Sequence, residues 1–364
     1  MSFCGRFVLL GALAVLALLG SARAAGADVI HVKPGESIQA AIDGASPGDT
    51  IKVAQGTYHE NIAITKNDIT LRGAGPSRVR LRPAETPTPN ICSFEEEGVL
   101  FIDGICVAGA FDPETFEPGD PVVGTTITGF DVKGFNGFGV ILLNANDSTV
   151  KRVWASFNGG YGISGFFLSG VRFQWNIAHH NGEPGFYVGD SPEANALVSF
   201  NRAFKNGPGL GFGMLFRDSS MGVVHHNRVW GNCVGMVFLD AGFGEGPASD
   251  WFVHRNRVRT NNEACEEGPF PASGTGLLLL GTDHVTVARN RVFDHAPSIE
   301  SLHPGGIVLA SAAPFGGPDP TDNAIRHNVA FGNEPADVVW DGSGSGNRFP
   351  KNRCGTSDPP WICD

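Results

Sequence analysis

Three aspartates stand five residues after a glycine: Gly185 leads to Asp190, Gly213 to Asp218 and Gly235 to Asp240. Carboxylates returned to one place are oxygen donors for a hard cation such as Ca²⁺, or an acid and a base for proton transfer. Arg217 stands directly before Asp218. Alternation along a strand points Arg217 outward beside the turn that bears Asp218, where it strengthens a catalytic or substrate-binding reading of the row. The same residues also suit a purely local role. Asp favours turns, and the Asp-Ser pairs at 190 and 218 read as Asx-turns capping their own amides.

Whether the acids meet depends on the elements that carry them. The apolar runs beginning at Gly139, Gly162, Gly185, Gly213, Gly235, Gly276 and Gly306 are copies of one unit, with a glycine-free copy from Ala336 that ends on Asp341. A second signature follows each run and places Asn176, Asn201, Asn227, Asn256, Asn290 and Asn328 in one column. Asn158, Asn181, Asn206, Asn232 and Asn333 fall in another. The shortest repeats are about 22 to 24 residues, and no unit has a ten-residue helical period. Fifty glycines and 24 prolines in 364 residues also argue against helices. A unit of short strands and Asn, Asp and Gly turns cannot bury its own apolar face, so the units must stack. Stacked parallel strands lie about 4.8 Å apart. At that spacing adjacent like charges repel by roughly 3 to 4 kcal/mol at an effective dielectric of about 20, and by about 1 kcal/mol in water. The Asp190–Asp218–Asp240 row therefore stands if it is solvated, splayed or bridged by a cation; otherwise one acid keeps its proton.

The ends of the chain carry other signals. Arg6, the run FVLLGALAVLALLG and the small residues after it read as a secretory leader over 1–25, cleaved near Ala24 or Ala25, with residues 26–364 forming one domain. A membrane anchor is the alternative, and no later stretch is long enough to span a bilayer. Loss of Arg6 and Arg23 takes the net charge from −11 to about −13, which disfavours nucleic acid as a partner. Cys4 leaves with the leader, and the remaining six cysteines suit an oxidising compartment. Short loops favour the pairs Cys92–Cys106, Cys233–Cys265 and Cys354–Cys363, among the many connectivities that six cysteines allow. Long segments at 84–121, 241–250, 263–275, 296–305 and 312–322 either wall a binding site or merely decorate the scaffold. Residues 343–364 read as a disulfide-tied tail.

The stretch VIHVKPGESIQAAIDGASPGDTIKVAQGTYHENIAITKNDITLRGAG (29–75), with the asparagine columns, resembles the right-handed parallel β-helix proteins, the pectin-lyase-like superfamily that includes NosD-like secreted proteins. The resemblance covers nearly all of the chain after the leader. It implies an all-β right-handed parallel β-helix in which SIQAAIDGA is a short capping helix over the open end of the coil and DTIKVAQGTYHENIAI is the first rung. It implies a secreted or periplasmic monomer that binds or processes polysaccharide on an outer sheet face. An enzyme of this kind would be lyase- or hydrolase-like, with Asp190, Asp218, Asp240 and Arg217 as the site, Ca²⁺ held by the three acids in analogy to pectate lyases, and Tyr187 stacked on a sugar. The hallmarks of individual activities are missing: there is no Asn-Thr-Asp, Gly-His-Gly or Arg-Ile-Lys of polygalacturonases and no Tyr-Gly-Phe-Asp-Pro-His of alginate epimerases. No catalytic set carries over by motif. A non-catalytic extracellular scaffold and a NosD-like copper accessory are the rival readings. For the second, His179, His180, His225, His226, His254, His284 and His327 do not share one column. Arg202, Arg228, Arg257 and Arg291 form an outward ladder that either grips an anionic polysaccharide or pairs with nearby acids.

Overall fold

The computed structural model describes residues 26–112, 115, 117–207, 210–242, 244, 246–266 and 271–363. The expected leader, 1–25, lies outside the described residues. Among these no helix is long and apolar enough to cross a membrane.

Each turn of the chain contributes one strand to each of three sheets. The first full rung, Thr50–Val53, Gly56–His59 and Ile62–Ile64, lies within the segment expected to form it. Repetition builds three parallel sheets of 11 strands, here named A, B and C in the order the chain visits them. The fold is the right-handed parallel β-helix. Alternation along each strand sends one side chain into the coil and the next outward. The inward set, including Ile51, Leu71, Val150, Phe173, Val198, Val224, Val253 and Val287, is a continuous apolar core of fully buried side chains.

The turn from sheet A to sheet B is a tight corner repeated along the coil. One residue adopts a left-handed conformation, as at Trp175, Phe200, His226, Arg255 and Arg289 (φ 55° to 60°), and the next is the column asparagine. Each asparagine Oδ1 accepts the backbone amide of the asparagine one rung earlier, for example Asn201 N to Asn227 Oδ1 at 2.9 Å and Asn227 N to Asn256 Oδ1 at 2.9 Å. Each Nδ2 donates back to a carbonyl, Asn227 Nδ2 to Val198 O at 2.9 Å. The column extends one rung beyond the expected set, to Asn352. The second column runs through Asn158, Asn181, Asn206 and Asn232 to Asn261 and then changes residue type. His295 takes the next place, Asn261 Nδ2 meeting its Nε2 at 3.1 Å, before Asn333 and Asp337. Burial pulls the His295 pKa down to about 4.

The recurrent glycine before each sheet C strand has a steric cause. A Cβ on Gly213 would lie 2.3 Å from Val229 Cγ1 and 2.5 Å from the carbonyl oxygen of Gly235, so the backbones approach too closely for any side chain.

The ends are closed. The helix Ile38–Gly44 buries Ile38 and Ile42 against the first rung, and Glu60 accepts the amides of Ile38 and Gln39 at its N-terminus. The segment 84–121 is more than an insertion: it holds an antiparallel hairpin, Phe94–Glu96 with Val99–Phe101, and the strand Ile105–Ala108 is itself a rung of sheet C. The expected tail is likewise a rung, since Arg353–Cys354 joins sheet B and Ser357–Asp358 joins sheet C. The three disulfides are Cys92–Cys106, Cys233–Cys265 and Cys354–Cys363.

One buried acid sets a pH response. Asp103 is fully buried; its Oδ1 accepts the Phe138 amide at 2.6 Å, and its Oδ2 has no hydrogen-bond partner among the described residues. Burial raises its pKa to about 7 against a hydrogen bond that acts the other way. Between the unfolded value of 3.8 and about 7 the folded chain holds this proton and the unfolded chain does not. Stability from this group therefore falls as pH rises through that window. Asp103→Asn is expected to flatten the decline of the urea midpoint between about pH 4 and pH 7, checked by urea titrations at steps across the range.

Candidate functional site

The outward face of sheet C is apolar rather than solvated. Leu215, Val237 and Leu278 stand in one register column, and Leu239 and Leu280 in the next. With Tyr187, Val308 and the Cys233–Cys265 disulfide they form a second apolar cluster outside the coil. Such a face is covered by something, and here the long loops fold over it. They do not fill the space. A cleft of about 450 Å³ remains, with Leu215, Val237 and Leu278 among its lining residues, Tyr161 and Phe212 on one side, and Ala272, His303 and Phe315 from the loops. The wall at Ala272 is held by a two-way backbone pairing with Cys265. At the loop side Thr275 Oγ1 donates to the carbonyl of His303 at 2.6 Å. His303 Nε2 is buried and has no hydrogen-bond partner among the described residues. Burial lowers the pKa of this imidazole, which favours its neutral form.

Arg217 lines the same cleft. Strand pairing places Gly189 beside Arg217 and Ser191 beside Ser219, so Asp190 and Asp218 are neighbours one rung apart, both with φ of 49°. The Arg217 guanidinium lies between them. Its Nη2 donates to Asp190 Oδ1 and Oδ2 at 3.5 and 3.4 Å, and its Nε approaches Asp218 Oδ2 at 3.2 Å. Asp218 is fully buried because the loop after Asp240 folds back on it; a Cβ on Gly244 would lie 2.3 Å from the Asp218 Cβ. Asp218 Oδ1 accepts the Ala241 amide at 2.7 Å, and Asp240 Oδ1 accepts the Gly242 amide at 2.9 Å. Burial raises the pKa of both carboxyls, opposed at Asp218 by the Ala241 amide and by Arg217.

The row of acids is thus real as a row, but its contacts are those of an arginine-centred ion pair and two turn caps. The three acids do not fit the expected Ca²⁺ set. Arg217 supplies the positive charge between two of them, and one oxygen each of Asp218 and Asp240 is committed to an amide. Among the described residues, three potential ligand atoms gather within 4.8 Å of one another only at Asp283, His284 and Asp322, on another part of the coil. There the Asp283 carboxylate already pairs with His284 Nδ1 at 2.8 Å and accepts from Thr321 Oγ1 at 2.5 Å. Among the described residues the other histidines form no such group of three: His179 and His180 meet through Nδ1 at 2.8 Å, His225 and His226 at 2.7 Å, and His254, the register partner of His225, stacks on it at 5.1 Å.

Tyr187 is placed differently from expectation. It is 1% exposed, its ring stacked on Tyr161 at 4.7 Å and its hydroxyl leaning over Gly189, so it is not open to a sugar. The exposed edge of that aromatic stack belongs to Tyr161, which lines the cleft. Tyr161 could have been found from sequence as the residue before the Gly162 repeat, but nothing in that position marks it as a wall.

Comparison with known proteins agrees with this fold. A family model described as the right handed beta helix region matches residues 103–244. Among solved structures, the A-module of a mannuronan C-5 epimerase of Azotobacter vinelandii superposes with a TM-score of 0.59 at 17% identity, covering 88% of this chain and 90% of that one. A periplasmic alginate epimerase gives 0.51 at 12% identity over 89% and 83% of the two chains. The DFA-IIIase of Arthrobacter chlorophenolicus gives 0.51 at 16% over 85% of each. No curated protein sequence matches this chain.

Proposed function

We propose, from the premise that this chain is a right-handed parallel β-helix protein, that it binds polysaccharide in the cleft over the outer face of sheet C. One observation carries the reading: the loops stand over an apolar sheet face and leave about 450 Å³ open, with Arg217 at the edge. A loop set serving only to cover that face would close on it. A pyranose ring has an apolar C–H face and a polar rim. The aliphatic floor of Leu215, Val237 and Leu278 suits the first, and Arg217 with Asp190 suits hydroxyl or carboxylate groups on the second. The names of two fold neighbours, a mannuronan epimerase and an alginate epimerase, support a glycan as the ligand class. The three disulfides suit an extracellular or periplasmic setting.

The reading is binding first. Turnover is a second reading, favoured by the Arg217–Asp190 pair, whose side chains are 32% and 15% exposed beside the cleft. The missing Tyr-Gly-Phe-Asp-Pro-His motif argues against epimerase chemistry. The test is equilibrium titration with short alginate, polygalacturonate and neutral glucan oligomers at high salt, where exposed arginines elsewhere on the coil bind polyanions little. Leu278→Trp, which projects an indole into the cleft, is expected to weaken binding at least tenfold with the unfolding midpoint preserved, and Arg217→Met to weaken acidic oligomers more than neutral ones. Leu278→Trp binding as tightly as the parent chain would remove the cleft from the account. New reducing ends or unsaturated sugars, released by the parent chain and not by Arg217→Met, would establish turnover.

A further inference from the structure

The outer face of sheet B carries a feature that the cleft does not use. The strands Arg202–Phe204, Arg228–Trp230, Arg257–Arg259 and Arg291–Phe293 pair in register, so Arg202, Arg228, Arg257 and Arg291 form one exposed column over four successive rungs. Rungs are about 4.8 Å apart. Like charges directly opposite in a sheet are destabilising, even in water. Sequence alone leaves open that these arginines are neutralised by surface acids. They are not: among the described residues the ion pairs join Arg82 to Asp131, Arg217 to Asp190 and Asp218, and His284 to Asp283. The reason lies in the register. The neighbouring column on the corner side holds Trp175, Phe200, His226, Arg255 and Arg289, and the one on the other side holds His179, Phe204, Trp230 and Arg259, with no carboxylate in either stretch.

The two files of side chains enclose a shallow groove of about 540 Å³ lined by Trp175, Phe200, Arg202, Arg228, Arg255 and Arg257. Its corner edge is an aromatic stack, Trp175 on Phe200 at 4.2 Å and Phe200 on His226 at 5.0 Å, that ends in an indole 56% exposed. The whole chain carries a net charge of −11, so this stripe opposes the sign of the molecule. A straight file of unpaired cations at rung spacing, edged by flat apolar rings, is complementary to a linear polymer that carries one anionic group per residue and has apolar ring faces.

We propose that the outer face of sheet B is a binding track for a uronic-acid polysaccharide, held by Arg202, Arg228, Arg257 and Arg291 with Arg255 and Trp175 alongside. Three disulfides favour a glycan over a nucleic acid as the polyanion, because they suit an oxidising compartment. The track lies on a different sheet from the cleft and does not rest on it. Each cation engaged releases counterions, so binding weakens steeply with salt.

The experiment uses the full folded chain carrying Leu278→Trp, so that loss of binding reports the track and not the cleft. Polygalacturonate, a neutral dextran of similar length and a single-stranded DNA of similar charge are titrated by calorimetry at several salt concentrations. Polygalacturonate is expected to bind, dextran not to, and the double substitution Arg228→Gln with Arg257→Gln to weaken polygalacturonate at least tenfold and make its salt dependence shallower. The double variant should melt no lower than its parent, since it removes repulsion. Arg228→Lys with Arg257→Lys should restore most of the affinity. Unchanged affinity in the glutamine variant, equal binding of dextran, or tighter binding of the DNA than of polygalacturonate would each overturn the proposal. If Leu278→Trp fails to fold, the same comparison in the parent chain reads the salt slope, which a cleft with one arginine cannot move by two charges.

Discussion

Replacing Asn227 with alanine is expected to lower the stability of the chain by about 3 kcal/mol and to leave the neighbouring corners frayed. The side chain makes four hydrogen bonds at once. Its Oδ1 accepts the Asn201 backbone amide at 2.9 Å and the Asn201 Nδ2 at 3.1 Å, and its Nδ2 donates to Val198 O at 2.9 Å and to Asn256 Oδ1 at 3.0 Å. Asn201 Nδ2 retains a second acceptor in Phe173 O and Asn256 Oδ1 retains the backbone amide of residue 227, but the Asn201 amide and the Val198 carbonyl are left buried without these partners. Each such group costs about 1 to 3 kcal/mol. Against a total of about 5 to 15 kcal/mol for a typical domain, that loss is large. Asn227→Asp separates the parts: it keeps an acceptor for Asn201, loses the donor to Val198 O and Asn256 Oδ1, and adds a charge at a fully buried position. Urea unfolding followed by circular dichroism checks both. The alanine variant matching the parent within about 0.5 kcal/mol would mean that the ladder is a consequence of stacking and contributes little to it.

The second large effect concerns the disulfide under the cleft. Cys233→Ala with Cys265→Ala is expected to cost about 3 to 4 kcal/mol in the chain-entropy picture, because the bond closes a loop with a sequence separation of 32. Both sulfurs are also buried within the apolar cluster over sheet C, so packing is lost as well. The functional consequence is local. Cys265 pairs through its backbone with Ala272, and Ala272 is part of the cleft wall, so the wall loses its anchor to the rung. Ligand affinity should fall with stability in this variant. The pair Cys354→Ala with Cys363→Ala, at the far end of the coil, should lower stability without changing affinity. Equal affinity in both variants would show that the wall does not depend on its tether.

The coil is legible in the sequence wherever the physics demands one residue type. Only glycine fits where a Cβ would strike the next rung's carbonyl, as at Gly213, and only a short amide carries both the donor and the acceptor that the corner needs, as at Asn227. The second ladder is harder to follow because its chemistry is met by other groups. An imidazole at His295 and a carboxylate at Asp337 continue it, and neither looks like asparagine in a repeat search.

The site is legible only in part. Asp190 and Asp218 do lie one rung apart, as the repeat requires, but the sequence does not tell that Arg217 turns between them or that the loop at Gly244 seals Asp218 from solvent. Strand register follows from period and pattern; the path of an inserted loop does not. Tyr187 shows the same limit: its outward position is correct, and its burial comes from Tyr161, which stacks on it from the previous rung's turn. The arginine column on sheet B is visible in sequence as a column, whereas its freedom from acids appears only once the neighbouring files are known.

If sugar binds in the cleft over sheet C, a crystal of the chain soaked with a short uronate oligomer should show it there. A pyranose face is expected to lie on Leu215, Val237 and Leu278, with a carboxylate or hydroxyl within hydrogen-bond distance of Arg217. A sugar seen only elsewhere on the coil, with the cleft empty at saturating ligand, would rule the cleft out.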